Sequence, residues 1–333
     1  MNYPAQTQFQ TDDAADYVLQ ADGLVKYFDR YCAVDHVSLA VPRGMVYGVL
    51  GPNGAGKTTT IRMMLGIIDP DAGSRSLLGE SQPRRAAYRV GYLPEERGLY
   101  PNMTAREAIA FMGAMRGLDW KEGRARAGEL LESAGLARVI DEKIKKTSKG
   151  MAQMIQLIGS IVHQPELIVL DEPFSGLEPV HQERLETLIL AERNRGATIV
   201  FSTHVMAHAE RMCDRLAIIA RSKRRFEGTV EEARGTLPLQ LRYTPVQDVS
   251  ESQMRALLPA DARRTAQGWV ASVQQADAPA AVARIMEANL GIARLNVDRP
   301  GLHEAFVEIV RQADEEAKVT PVPTQELAKE ALA

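Results

Sequence analysis

The stretch Val46-Tyr47-Gly48-Val49-Leu50-Gly51-Pro52-Asn53-Gly54-Ala55-Gly56-Lys57-Thr58-Thr59 decides how the rest of the chain is read. Its part from Gly51 to Thr58 fits the phosphate-binding pattern G-x-x-x-x-G-K-[ST]. The run before it, from Met45 to Leu50, is apolar and β-prone, and the run after it, from Thr59 to Leu65, has helical spacing. Strand, glycine loop and helix therefore come in the order the motif needs. Gly51, Gly54 and Gly56 let the backbone curl, so that successive N–H groups of a cradle formed by Gly51, Pro52, Asn53, Gly54, Ala55 and Gly56, proline contributing no N–H, and of the helix N-terminus up to Thr59 face a polyphosphate. Lys57 is placed to reach the β and γ phosphates and the Thr58 hydroxyl to ligate Mg²⁺. The chain is expected to bind a nucleoside triphosphate.

Composition sets the frame around this motif. A length of 333 residues allows about two domains, and 45% hydrophobic residues suffice for a buried core. A formal net charge of -3 gives no general electrostatic reason to bind nucleic acid, and none is expected as a partner. Cys32 and Cys213 are too few for a disulfide framework or zinc cluster, which fits a reducing cytoplasm. Asp12, Asp13 and Asp16 do not suit a signal peptide, and no apolar run approaches the roughly 18 residues that cross a bilayer. Any membrane role is expected to pass through a partner.

Working outward, residues 1–16 read as a polar, flexible tail. Strands are expected over 17–19 with Leu24 and over 37–41, separated by the aromatic cluster Tyr27, Phe28 and Tyr31, which could stack on a base or cover a sheet edge. Short strands follow at 76–78 and 90–94, then a charged loop, Glu95-Glu96-Arg97-Gly98. Helices over 104–115, 121–134 and 139–144, the first with a Thr104 cap and Glu107, form an expected helical insertion at about 96–160. A polar turn at Ser148 opens a long amphipathic helix to Val162. Leu167-Ile168-Val169-Leu170 is a continuous apolar run, as in a strand buried on both faces. It ends in Asp171-Glu172, a carboxylate pair that packing does not explain and a metal would. A helix (179–194), a strand (198–201) ending in Ser202-Thr203-His204, a helix (206–213) and a strand (216–220) follow. This alternation predicts an α/β fold with a mainly parallel sheet and ligands at the strand carboxyl ends. The basic run from Arg221 to Arg225 reads as a solvated hairpin turn.

The character changes near Pro238. Over 235–312 the pattern strand (239–243), helix (250–258), strands (262–265 and 269–273), helix (278–289) and strand (293–297) predicts a small α+β, ferredoxin-like unit. A helix over 302–312 and a flexible tail over 313–333 complete the expectation.

Together these motifs resemble the ATP-binding subunits of ABC transporters, over roughly Tyr17 to Gly228. The resemblance makes 17–234 a P-loop ABC ATPase domain binding ATP and Mg²⁺, with Gly51–Thr59 similar to Walker A and Leu167–Asp171 to Walker B. It implies Glu172 as the catalytic carboxylate, His204 as the switch histidine and Lys57 as the phosphate cation. It implies Thr58, Asp171 and Glu95 as metal ligands, Glu95 standing where the family has glutamine. Phe28, 29 residues before Lys57 (57 − 28 = 29), aligns with the base-stacking aromatic, with Tyr31 as the substitute. The signature motif appears as Thr147-Ser148-Lys149-Gly150-Met151, and the resemblance implies that Ser148 and Gly150 meet the γ-phosphate held by an opposite protomer. Glu178 stands at the D-loop aspartate in Ser175-Gly176-Leu177-Glu178. Gly91 to Tyr100 and Leu302 to Val307 look most like the sodium-extrusion subgroup of bacterial export ATPases. The implied partners are transmembrane permease subunits and a second ATP-binding subunit, at the cytoplasmic face of the cell membrane. Two other classes are weighed. A soluble ATPase acting on ribosome or DNA usually carries two such domains or long insertions, and a regulatory module without turnover has no use for Glu172.

Overall fold

The first described elements are an antiparallel hairpin of β1 (Tyr17–Phe28) and β2 (Tyr31–Pro42), seen in a computed structural model that describes residues 16–96, 98–247 and 249–319. The sequence pattern predicts strand over 17–19 with Leu24 and leaves 25–28 unassigned. The structure carries the strand through, because Gly23 takes φ 57° at an irregularity in the register between Ala21 and Leu24. After β3 (Val46–Leu50), the glycine loop and α1 (Lys57–Met64), β4 (Ala72–Leu77) returns to pair with β1, giving the three-stranded order β2-β1-β4.

Next come β5 (Val90–Leu93), α2 (Ala105–Ala114), α3 (Trp120–Ser133), α4 (Lys149–Ile161), β6 (Leu167–Leu170), α5 (Pro179–Asn194) and β7 (Thr198–Thr203). α6 (Met206–Met212), β8 (Arg215–Ala220) and β9 (Lys223–Gly228) complete the series. The six-stranded order is β5-β6-β7-β3-β8-β9, and the four pairs from β5 to β8 are parallel. Both faces are covered. Leu167 and Val169 of β6 join the core with the hairpin and α1, while Ile168 and Leu170 join the core with α2 to α5. That two-sided burial is why the strand is a continuous apolar run. Each such side chain contributes about 1.5–3 kcal/mol on burial.

The helix expected over 139–144 is absent. Two short 3₁₀ turns, Ala137–Val139 and Ile144–Lys146, stand there. The intervening backbone bonds to the start of α2 instead: Ala105 N–H donates to Glu142 O, Arg106 N–H to Ile140 O and Ile144 N–H to Met103 O. The Thr104–Glu107 capping box is present as expected.

The chain divides into two compact units, one running to Glu227 and resuming at Ala313, the other Gly228–Gln312. The boundary falls seven residues (234 − 227 = 7) before the expected one. The short helix α7 (Val230–Arg234), capped by a Thr229–Glu232 box, belongs to the second unit, where Arg234 donates to Pro300 O. That unit holds β10 (Leu239–Thr244), α8 (Glu251–Leu257), β11 (Arg263–Thr265), β12 (Gly268–Val273), α9 (Ala278–Glu287) and β13 (Arg294–Asp298). Its antiparallel sheet has the order β11-β12-β10-β13 over a core of Leu241, Tyr243, Met254, Trp269 and Ile285. The last helix, α10 (Leu302–Val319), runs seven residues (319 − 312 = 7) beyond the expected Gln312. Leu302, Ala305, Ile309 and Ala313 make its buried stripe at helical spacing. Of the expected tails, residues 1–15 and 320–333 lie outside the described residues, as does Arg97 of the charged loop.

Candidate active site

The glycines of the loop after β3 are required by close approaches. A Cβ on Gly51 would lie 2.2 Å from the Ile219 carbonyl oxygen, and one on Gly56, at φ 102°, would lie 2.4 Å from Ala33 O. Gly56 is the N-cap of α1 and offers no side-chain cap, so the first N–H groups of the helix are left to the loop cavity. That cavity, of about 490 Å³, is lined by Phe28, Tyr31, Ala33, Asn53 to Thr59, Glu95 and Glu172.

Lys57 is buried, and its Nζ donates to Gly51 O at 2.8 Å and to Pro52 O at 3.2 Å. The same nitrogen lies 3.2 Å from Glu172 Oε1. Gly51 and Pro52 thus act here through their carbonyls and do not line the cavity. Thr58 Oγ1 donates to Asp171 Oδ1 at 3.1 Å. Asp171 is fully buried, and its Oδ2 has no hydrogen-bond partner within the protein. An orphaned carboxylate oxygen beside a threonine hydroxyl fits a hard cation. Such an ion would take the rest of its shell from water and phosphate, because no cluster of three or more His, Cys, Asp or Glu suited to a metal occurs among the described residues.

Glu172 is held from three sides. Its N–H donates to Ser202 Oγ at 2.8 Å, its Oε2 lies 2.9 Å from His204 Nδ1, and Lys57 faces its Oε1. Its backbone is left-handed, with φ 48°, a conformation that costs a non-glycine residue of order 1–3 kcal/mol and aims its side chain at the loop. Ser202 also donates to Asp171 Oδ1 at 2.6 Å. One hydroxyl therefore joins the carboxylate that faces Thr58 to the residue that faces Lys57. The expected sites did not include Ser202. It stands one position before Thr203 in the triplet that ends β7, and its role appears only once the parallel register Leu170↔Phe201 sets Asp171 beside Ser202.

Phe28 and Tyr31 flank the hairpin tip, 48% and 58% exposed. Tyr31 OH donates to Gly54 O at 3.2 Å, so the cavity receives both aromatics and not one alone. Behind them, burial and then the neighbouring Cys32 push the Tyr27 hydroxyl up to about 12. The structure brings Glu95 to the cavity rim, exposed. Ser148 and Gly150 stand apart from this cavity. Ser148 is the N-cap of α4, accepting from Met151 N–H at 3.3 Å, and Gly150 abuts the His181 ring, 3.2 Å from where a Cβ would be.

With this geometry in hand, the chain can be compared with known proteins. Residues 34–175 match the ABC transporter family. The chain is 34% identical over 297 residues to YhaQ of Bacillus subtilis, an uncharacterized ABC transporter ATP-binding protein, covering 88% of this chain and 98% of that one. It is 42% identical over 210 residues to the Nod factor export ATP-binding protein I of Burkholderia thailandensis, covering 61% of this chain and 68% of the relative. A solved ATP-binding subunit of an ABC transporter, 31% identical, superposes with a TM-score of 0.60 over 66% of this chain and 92% of its own.

Proposed function

The chain belongs to the ABC transporter family as an ATP-hydrolysing, ATP-binding subunit, and from that premise we propose the following division of work among its residues. Glu172 orients and deprotonates the attacking water, and His204 holds Glu172 and reaches the γ-phosphate. The observation that carries this is the buried Glu172 carboxylate clasped between His204 at 2.9 Å and Lys57 at 3.2 Å. Lys57 exchanges Glu172 and the two loop carbonyls for the β and γ phosphates, where developing charge needs a cation. Thr58 and Asp171, with Glu95 at the rim, hold Mg²⁺, which when bound neutralises the phosphates. Phe28 or Tyr31 stacks on the base.

Ser148 and Gly150 serve a second copy's nucleotide: they lie at a helix start away from the cavity of their own chain, where an N-terminus suits a phosphate. The second subunit is identical or a close relative of this one. No helix among the described residues is long and apolar enough to cross a membrane, so the transport path belongs to separate permease subunits, with this subunit at their cytoplasmic face. The name of the Nod factor relative supports export as the direction. The second unit, ferredoxin-like in element order, takes no part in the chemistry.

Glu172→Gln tests the arrangement. The amide keeps size and hydrogen-bonding capacity but loses the basic carboxylate, so hydrolysis should fail while ATP still binds. Unhydrolysed ATP, gripped by Lys57 of one copy and Ser148 of the other, should hold a dimer in sedimentation that dissociates without ATP. Adding Ser148→Arg should abolish it. An ATP-independent state that Ser148→Arg leaves unchanged, even at raised protein concentration, overturns the two-copy reading.

A further inference from the structure

The basic run Arg221 to Arg225, expected as a hairpin turn, is a two-residue turn at Arg221-Ser222 between β8 and β9, with Lys223 to Arg225 already in β9, and its charges are paired within the first unit. Arg221 Nε donates to Asp314 Oδ1 at 2.6 Å and Arg225 Nη1 to Glu316 Oε2 at 2.5 Å. Both acidic residues lie on the last turns of α10, in the part of that helix that belongs to the first unit. The turn they grip is tightly held. Arg221 and Ser222 have φ 51° and 63°, and Ser222 is buried.

From this turn a short chain of contacts leads to the nucleotide cavity. Ser222 Oγ donates to Cys32 O at 2.7 Å, and Asp35 N–H donates to Ser222 O at 2.8 Å. Lys223 Nζ faces the buried Asp35 carboxylate at 3.2 Å. Cys32 and Asp35 enclose Ala33, whose carbonyl presses on Gly56, and Cys32 follows Tyr31, whose hydroxyl binds Gly54. The strand leading into the turn presses its Ile219 carbonyl on Gly51. Three glycines of the phosphate loop and one wall aromatic are thus set by elements that converge on Ser222.

We propose that Asp314 and Glu316 are positioning residues of the nucleotide cavity, acting through Arg221, Arg225 and Ser222 on the base-side hairpin and the phosphate loop. The inference rests on the reading of that cavity as the ATP site. α10 begins at Leu302 in the second unit and ends in the first, where Asp314 and Glu316 make these contacts. Coupling of this kind needs a contiguous set of packed and hydrogen-bonded groups, which these contacts supply.

The test is a charge exchange in the full chain. Arg221→Glu with Arg225→Glu, or Asp314→Arg with Glu316→Arg, should each weaken binding of ATP about threefold, the scale of exposed ion pairs, with kcat changed by less than about twofold. Combining all four substitutions should restore the affinity, and the melting temperature should not follow this loss and recovery. A merely structural role would move melting temperature and affinity together. Unchanged affinity in both reversals, or no recovery in the fourfold variant, overturns the proposal. Lys57→Ala is the control: if it binds ATP as the parent does, the reading of the cavity falls, whereas its loss of binding with unaffected reversals sinks the positioning role alone.

Discussion

The first unit buries Lys57, Asp171, Glu172, Ser202 and Thr203 around the carboxyl ends of β3, β6 and β7, whereas no charged side chain and no Ser, Thr, Asn or Gln is buried among the described residues of Gly228–Gln312. Both units have apolar cores, so the difference is not one of folding. Taking ionised groups out of water costs several kcal/mol each unless partners replace the solvent. Asp35 and His208 are buried elsewhere in the first unit, each with an ion-pair partner, but only here are buried ionisable groups linked in one chain, Thr58–Asp171–Ser202–Glu172–Lys57, which has a use beyond stability. The second unit's core of Leu241, Tyr243, Met254, Trp269 and Ile285 carries only packing, and from it no chemistry can be read.

A crossed pair of substitutions would break this contrast if it is wrong. Lys57→Ala should lower ATP turnover by at least about a hundredfold, the usual scale for loss of a charge-stabilising group, while the stability of the second unit stays close to the parent's. Ile285→Ala should do the reverse, destabilising the second unit by about 3 kcal/mol while the ATP dissociation constant of the folded protein stays within about twofold. Unfolding monitored by Trp269 fluorescence and ATP binding by equilibrium titration give the two readouts. Loss of binding in Ile285→Ala at a temperature where the chain remains folded would show that the two cores are not separable.

Ser202 sharpens the comparison inside the first unit. Its hydroxyl touches both carboxylate residues, donating to Asp171 and accepting from the Glu172 amide. Ser202→Ala leaves that N–H buried and unpaired and frees Asp171 to turn, so kcat should fall about tenfold with ATP affinity changed less than about threefold. An unaltered kcat would reduce Ser202 to a packing residue.

How much of this was legible beforehand follows from where each interaction is made. The strand–loop–helix around Lys57, the apolar run of β6 and the order of elements from β10 to β13 come from local periodicity, and the Thr104–Glu107 box from spacing alone, whereas β9 and α7 were not foreseen. The stretch 139–144 reads as helix but is not one, because the backbone of this region finds its partners at 101–106, beyond any local window. Ser202 was passed over for the same reason, since it matters only beside Asp171 of another strand. The last turns of α10 looked like tail because Asp314 and Glu316 find their partners more than ninety positions earlier, at Arg221 and Arg225. Phe28 and Tyr31 stayed alternatives in the sequence and line one cavity in the structure, as the two ends of a hairpin must.

The smallest effect concerns acid. His163 lines a groove with Tyr88, Arg116 and Glu166 in the first unit, where burial first and the Arg116 charge second lower its pKa to about 4. An unfolded histidine titrates near 6.5. Between these values the unfolded chain takes up a proton that the folded chain refuses, so stability is complete above about pH 6.5 and is lost as pH falls toward 4. Because the residue is half-buried, solvent screening reduces the loss between pH 7 and pH 5 to about 1 kcal/mol. His163→Phe fills the groove with a ring that cannot be protonated. Its urea midpoint should fall less than the parent's between those two pH values, in the transition that ATP shifts upward at pH 7. Carboxylates that titrate over the same range contribute equally to both proteins and cancel in the difference. A parent and variant that lose the same stability on acidification would mean that the groove admits enough water to solvate the imidazolium, and that His163 is no more costly to protonate in the folded unit than in the open chain.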